Sequence, residues 1–474
     1  MLGLFGTLGM GMRSLQAQQQ GIETAGHNLA NVNNPAYARQ RVLLRTANAL
    51  PTPLGPVGTG AQVTQVQQIR DALLDQRVTT ESSVSGYWLA QQKVLQYAQA
   101  GLGQGLDRPA SGAAGAAAPP GAQRGLAENL QDLFSAFQSV ATSPTSIADR
   151  QVLLQTAQSL ANQFNVTDQR LGELHQLLNE QLQANVTSAN QLTASIGSLN
   201  NDILNAEVGR SGTANDLRDL RQQKLEELAQ LVKVDAVEDP AGSLNVSING
   251  TALVTGKTVN DLLQAYDPGT GALLVRTATG GAALTLTSGA MQGTIDARDG
   301  ALADLRTDLN AVAGQLITQV NARHGGGVSL TGSTGAAFFT GTTAGTIGVN
   351  AALTANPALM QAAGVSGAVG DNQAALALAQ LADTRLGALG NQTLQQDYSQ
   401  TVATLGQSLA SANVQVSDQD AVAAMLTQQR AAVSGVSLDE EMTDLVKFQK
   451  AFAASAKLIT TVDEMLDVVV NMKR

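Results

Sequence analysis

The chain is 474 residues long, length enough for about three domains, yet only 14% of it is charged and 3% aromatic. It contains no cysteine, which excludes disulfide scaffolds, thiolate metal sites and thiol nucleophiles. A net charge of −10 argues against nucleic acid as the main partner, and no apolar run reaches the 18 residues or more of a membrane span.

The first twelve residues are apolar and glycine-rich, but Arg13 follows them instead of preceding them, so a cleaved signal peptide is not expected. From there a seven-residue repeat predicts a helix. Leu8, Leu15, Ile22 and Leu29 share one heptad position, and Gly11, Gln18, Ala25 and Val32 its partner. The helix should stop at Asn33-Asn34-Pro35. Residues 36–70 read as extended. Helix returns from about Asp71 to Leu102. The Gly/Ala/Pro-rich stretch 101–125 reads as a mobile surface loop.

Helical spacing resumes at Leu126 and pauses near Ser143-Pro144. Steps of three and four from Leu171 to Ile203 then predict a long helix with one buried stripe, ending at Ser211-Gly212. Leu217, Leu220, Leu228 and Leu231 mark another helix. The period then changes to two. Leu244, Val246 and Ile248 alternate with polar residues, Asn249-Gly250 signals a hairpin, Thr251–Val254 can pair back, and Leu284–Thr287 reads as a further strand. Helix is expected again from about 297, at 372–390 and over 396–432, with little regular structure across 325–372. The last segment mirrors the first: Leu445, Phe448, Phe452, Ser455, Ile459, Val462, Leu466 and Val469 form a regular heptad. Ser437 is its expected N-cap, with Glu440 placed as a capping-box partner and Asp439–Glu441 as a solvated helix N-terminus.

The expected fold is therefore mainly α: a nested, rod-like chain with long coiled-coil-like helices at both ends and a small β-rich insert. Residues 1–45 with 433–474 would form an inner terminal domain. Residues 46–235 with 291–324 and 372–432 would form a helical bundle, 236–290 a small outer β domain, and 325–371 an irregular segment.

No constellation supports catalysis, and no cofactor or metal is expected. His27, His175 and His324 have no ligand partner at metal-binding spacing and read as surface or capping residues. Gly250–Thr258 resembles a phosphate-binding loop but has five residues between its glycines where four are needed. His324-Gly325-Gly326-Gly327 resembles an oxyanion loop, but the chain has no G-x-S-x-G elbow.

The stretch from His27 through Asn28, Leu29, Asn31 and Pro35 to Tyr37, Arg39 and Gln40 resembles the N-terminal motif of bacterial flagellar axial proteins. Its Tyr-x-Arg-Gln ending resembles the hook-associated protein 1 family of the hook–filament junction. Three further stretches carry the same likeness in order: Asn215–Leu225, Gly293 through Asn321–His324 to Phe339, and Ser434–Glu441. Two departures stand out. His27 replaces a common Asn, and Ala36 a Gly, which leaves the turn at 34–37 open. The resemblance implies a non-enzymatic structural subunit that forms a ring-like homo-oligomer between the hook protein and a second junction protein. It also implies export without a cleaved signal through the flagellar type III apparatus, a chaperone on the C-terminal helix, and an extracellular location on the flagellum. The stripes Leu8–Leu29 and Leu445–Val469 would then order only when neighbouring copies cover them, with Asn31, Tyr37 and Arg39 fixing the joint above. A hook- or rod-type axial protein is the alternative. A glycan-active enzyme carried on the flagellum is disfavoured, since no carboxylate pair forms a recognisable site.

Overall fold

The computed structural model describes residues 3–52, 55–102, 125–208, 213–281, 283–368 and 370–472. Most of the stretch expected as a mobile loop at 101–125 lies outside these residues, as does Ser211-Gly212.

The chain opens with α1 (Leu4–Ala30), which ends before Asn33-Asn34-Pro35, and continues into an extended hairpin of β1 (Gln40–Thr46), β2 (Leu50–Thr52), β3 (Gly55–Val57) and β4 (Ala61–Gln68). In it β1 pairs with β4 and β2 with β3, both antiparallel. Arg13 of α1 holds the hairpin by donating from Nε and Nη2 to the Thr59 carbonyl at 3.1 and 2.7 Å.

A bundle follows: α2 (Ala72–Gly101), α3 (Leu126–Thr142), α4 (Ile147–Glu207) and α5 (Asn215–Leu231). Asp71 caps α2, accepting from the Leu73 and Leu74 amides, and Ser146 caps α4. The long helix thus begins well before Leu171, because its stripe continues backwards through Leu153, Ala157, Leu160 and Phe164, all buried.

Next come β5 (Asp235–Glu238), β6 (Leu244–Ile248), β7 (Thr251–Thr255) and β8 (Thr258–Val259), one antiparallel sheet in sequence order, then the separate pair β9 (Leu263–Tyr266) and β10 (Leu274–Thr277). Asn249 and Gly250 both take positive φ, 45° and 84°, as a tight primed turn requires. The phosphate-loop lookalike is therefore β7 with its flanking turns. The strand expected at Leu284–Thr287 is absent. Only a bridge from Ala283 to Arg276 forms, with the Leu284 amide on the Val275 carbonyl, and Leu286 is simply buried on the sheet.

Helix resumes as α6 (Ala290–Ala297), passes through a π-helical turn at Arg298–Leu302, and continues as α7 (Ala303–Gly325). The segment expected to be irregular holds more order than its composition suggests: β11 (Val328–Ser329), β12 (Phe339–Thr340), β13 (Gly348–Val349), α8 (Ala351–Ala355) and β14 (Gln361–Ala363). Phe338 and Phe339 anchor it, buried in the bundle core, and Asn321 clips it down by accepting from both their amides at 2.8 Å. The helix expected over 372–390 is α9 (Gln373–Ala379) followed by 3₁₀ turns at Gln380–Asp383 and Gly387–Leu389, with Thr384 extended between them. Two long helices close the chain, α10 (Leu394–Ser434), which carries a capping box from Thr393 and Gln396, and α11 (Leu438–Asn471).

Two hydrophobic cores result among the described residues. One fills the bundle of α2, α3, α4, α7, α9 and α10. The other lies between α4, α5, α6 and the β strands. Helix α4 crosses both. No helix among the described residues is long and apolar enough to cross a membrane.

Candidate functional site: the joint between the terminal hairpin and the body

Helices α1 and α11 pack antiparallel. Gly11 lies against Ile459, Ser14 Oγ is 2.8 Å from Ser455 Oγ, and Gly21 lies against Phe448. The seam on α1 is made of small and polar residues: Gly11, Ala17, Gly21, Thr24, Ala25 and Asn28 are its buried positions. Small side chains allow the close approach, and a Cβ added at Gly21 would sit 2.7 Å from the Phe448 ring. Leu8, Leu15, Ile22 and Leu29 lie beside this seam and stay half-buried. On α11, Leu445, Phe448, Ile459 and Leu466 are half-buried and Val462 is buried, whereas Phe452 and Val469 are exposed. Met465, Val468, Val470 and Met472 are exposed with them.

At the far end of the seam the motif residues converge. Asn28, fully buried on the last turns of α1, donates from Nδ2 to the Gln40 carbonyl at 2.8 Å and to Glu441 Oε2 at 3.0 Å. Its Oδ1 accepts from the Gln40 amide and from the Tyr37 hydroxyl, at 2.9 and 2.7 Å. The Tyr37 oxygen in turn lies 3.0 Å from His27 Nδ1, which donates to it. One amide side chain therefore ties α1 to the start of β1 and to α11.

Arg39 makes the second tie. Its Nε lies 2.6 Å from Glu441 Oε1 and its Nη1 2.5 Å from Glu440 Oε2, and its backbone amide donates to the Ser434 carbonyl. Burial opposes the charged guanidinium, but Glu441 and Glu440 overcome it, and the net shift of Arg39 is upward. Glu441 is only 3% exposed. Asp439 and Glu440 stay exposed as a solvated N-terminus would, Glu441 alone leaves the water, and Glu440 does not close a capping box. Ser437 does cap α11, accepting from the Glu440 amide. Sequence reasoning named Glu441 only as the end of the Ser434–Glu441 likeness and as part of the acidic run, not as the partner of Arg39 and Asn28.

The body supplies the third side. Asp219 accepts from the Ala38 amide at 3.1 Å, Gln68 Nε2 at 2.8 Å and Arg70 Nη2 at 2.6 Å, and Arg70 also pairs with Asp75. Gln40 Nε2 donates to Asp216. Burial raises Asp219 above the usual carboxylate range despite Arg70. Burial, then Asp216, Asp219 and Glu441, push the Tyr37 hydroxyl well up, so it stays a donor. The Asn215–Leu225 stretch thus folds directly onto the 27–40 stretch.

Asn31 behaves differently. It is part-exposed and donates to the His27 carbonyl, closing the end of α1 without entering the joint. Leu29 and Pro35 stay outside it as well. Ala36 needs no positive φ, because its amide donates to Asn34 Oδ1 in a local turn.

Of the other histidines, His324 is fully buried, not a surface residue. Its Nδ1 donates to the Ala336 carbonyl at 2.8 Å and its Nε2 accepts from the Gln361 amide at 3.0 Å. Among the described residues no group of three or more His, Asp or Glu could hold a metal.

Both chain ends thus lie in one antiparallel hairpin locked to a helical body, as the resemblance at 27–40 to bacterial flagellar axial proteins implies. The family model for the flagellar hook-associated protein FlgK helical domain matches residues 120–339, and that for the flagellar basal body rod FlgEFG protein C-terminal region matches 427–472. Flagellar hook-associated protein 1 of Bacillus subtilis is 28% identical, the match covering 97% of this chain and 96% of that one. The protein of the same name from Escherichia coli is 24% identical over 98% of each. The structure of the flagellar hook junction protein FlgK from Burkholderia pseudomallei shares the fold with a TM-score of 0.61 at 18% identity, covering 77% of this chain and all of that one. The helical-domain model, both relatives and the solved structure thus agree in likening the chain to flagellar hook-associated proteins, which are structural flagellar components.

Proposed function

We propose that this chain is a structural subunit of the junction between hook and filament, outside the cell, and that it assembles by coupled folding. The observation that carries the reading is the division of labour on the terminal hairpin. Its small-residue seam is satisfied within the chain, while large apolar side chains such as Phe452, Met465, Val468 and Val469 remain uncovered. Uncovered apolar surface of this extent marks an interaction face.

In this reading Leu8, Leu15, Ile22 and Leu29 on α1, together with the outward residues of α11, pack against neighbouring copies in a ring-like array. The hook protein and a second junction protein bound the array on either side. The joint of Asn28, Tyr37, Arg39, Gln40 and Glu441 holds the hairpin at a fixed angle to the body. The 1–45 and 433–474 segments form the inner domain, and the α4-centred bundle and the β insert stack outward. Before assembly the same α11 face is available to an export chaperone, and a chain without cysteine forms no crosslink during unfolded export through the type III apparatus.

Cells whose copy lacks residues 440–474 are expected to lose their filaments while keeping hooks. Filaments still firmly attached would overturn the junction reading, and loss of the hook itself would favour a hook- or rod-type role. For coupled folding, backbone amides in 8–32 and 445–469 should exchange quickly in the free monomer and slowly in assembled flagella. Strong protection in the monomer would refute it.

A further inference from the structure

On the bundle, a groove of about 400 Å³ opens between α2, α4 and α6. Gly86, Ala90, Val94 and Leu178 line it, and Leu89, Tyr97 and Leu177 border it, exposed. No carboxylate lines the groove, in a chain with 38 acidic residues and 28 basic ones. Its charged group is a cation, and an amide donor lies beside it. Lys93 makes no ion pair among the described residues and rests over the Tyr97 ring. Asn185 is nine-tenths buried; its Oδ1 accepts from Gln181 while its Nδ2 donates to no protein group among the described residues.

A matching ridge exists elsewhere on the same chain. Helix α10 packs antiparallel on α2, with Gln92 Nε2 2.7 Å from Asn413 Oδ1 and Gln419 Nε2 2.6 Å from Glu81 Oε2. Its buried face carries Leu409, Ala412, Val416 and Gln419. Half a turn round, Val414, Asp418, Ala421 and Met425 form an exposed stripe at the i, i+4, i+7, i+11 spacing of a groove-binding helix. Asp418 has no ion-pair partner among the described residues. The pairings of Gln92 and Gln419 place Val414 and Asp418 level with the groove. The groove residues of α2 lie about half a turn from those that meet α10, so groove and ridge face opposite sides of the α2–α10 pair.

We infer that the groove receives the α10 ridge of a second copy, with Val414 entering the apolar cleft and Asp418 meeting Lys93 and the Asn185 amide. An apolar cleft with a lysine and no carboxylate on one side, and an apolar ridge with one unpaired carboxylate on the other, are complementary. Their placement on opposite sides at one level is what a repeating, heterologous contact around a ring requires. This rests on the reading of the chain as a flagellar subunit and specifies one contact between its copies.

The absence of cysteine makes a clean test. In flagella assembled from a Leu89→Cys/Val414→Cys double variant, a short bis-maleimide should give a ladder of covalent multimers of this chain, and neither single variant should. A double variant present in flagella by immunoblot but without a ladder would overturn the inference, as would dimers from either single variant or crosslinks only to another protein. Absence of the wild-type chain from flagella would overturn the subunit reading itself. Independently, Lys93→Glu and Asp418→Lys should each increase filament shedding several-fold, and the two together should restore retention. Singles that behave as wild type, or a double no better than the singles, would refute the contact.

Discussion

Glu441 and Asn28 show how much a single buried side chain can carry. Glu441 is desolvated and its two oxygens are taken by Arg39 Nε and Asn28 Nδ2. Removing one partner of such a pair strands the other charge, which costs more than the pair contributes. Arg39→Ala is therefore expected to destabilise docking of the hairpin by about 2–4 kcal/mol, since partial exposure of Arg39 reduces the full penalty. The same denaturation series should show Arg45→Ala, on the exposed part of β1, within about 0.5 kcal/mol of wild type. His324 gives a pH prediction. Burial first, then Arg150, hold its pKa down to about 4 from 6.5, although the bond to Ala336 opposes them. A depressed histidine pKa means that the unfolded chain binds the extra proton between those two values. Its contribution is complete above about pH 6.5 and is lost as pH falls towards 4, on the order of 3 kcal/mol in all. Urea midpoints across that range, and an imidazole that stays neutral by NMR down to about pH 4, check it. Neither role was legible from sequence. Three lone histidines and an acidic triplet look alike before burial distinguishes them.

Most elements could be read from periodicity, and the exceptions have physical causes. Leu284–Thr287 alternates as a strand should, but no strand partner is available beyond the single bridge to Arg276. The 325–371 segment looks featureless because glycine, threonine and alanine carry little hydrophobic signal, yet Phe338 and Phe339 pull it onto α7. On the first helix the small half of the heptad makes the seam: Gly11 and Ala25 of the partner position are buried while the leucine stripe stays half-buried, because the closest helix approach selects the smallest side chains. Close approach recurs at Gly293, where an added Cβ would clash with the Tyr87 carbonyl oxygen of α2. Gly293→Ala should cost about 1–3 kcal/mol in unfolding free energy. Gly406→Ala on α10, with nothing within 4 Å of the new methyl, should instead stabilise by up to about 1 kcal/mol. Thermal melts of the two variants should move in opposite directions.

Over the whole molecule, the two cores meet at a polar boundary that α4 crosses. Arg298, fully buried in the π-helical turn, pairs with Asp299 and donates to Asn179 Oδ1 and the Leu273 carbonyl, and Asn179 also holds the Gly271 carbonyl and the Leu273 amide. Asn179→Ala leaves a buried guanidinium donor unmatched, at a cost of about 1–3 kcal/mol. Hydrogen exchange should then quicken at 263–277 while 126–171 keeps its protection. Equal loosening of both regions would mean that the cores are not separable there.

By itself the sequence determined the helical class, the heptads at both ends, the hairpin at Asn249-Gly250 and the family likeness at 27–40. Each is written in local spacing or in a short run of residues. Tertiary structure alone decided which face of each terminal helix is spent within the chain, that Glu441 and Asp219 are the partners of the motif, and that His324 lies in a core. Those outcomes depend on residues hundreds of positions apart becoming neighbours and losing water together, and no local pattern encodes that.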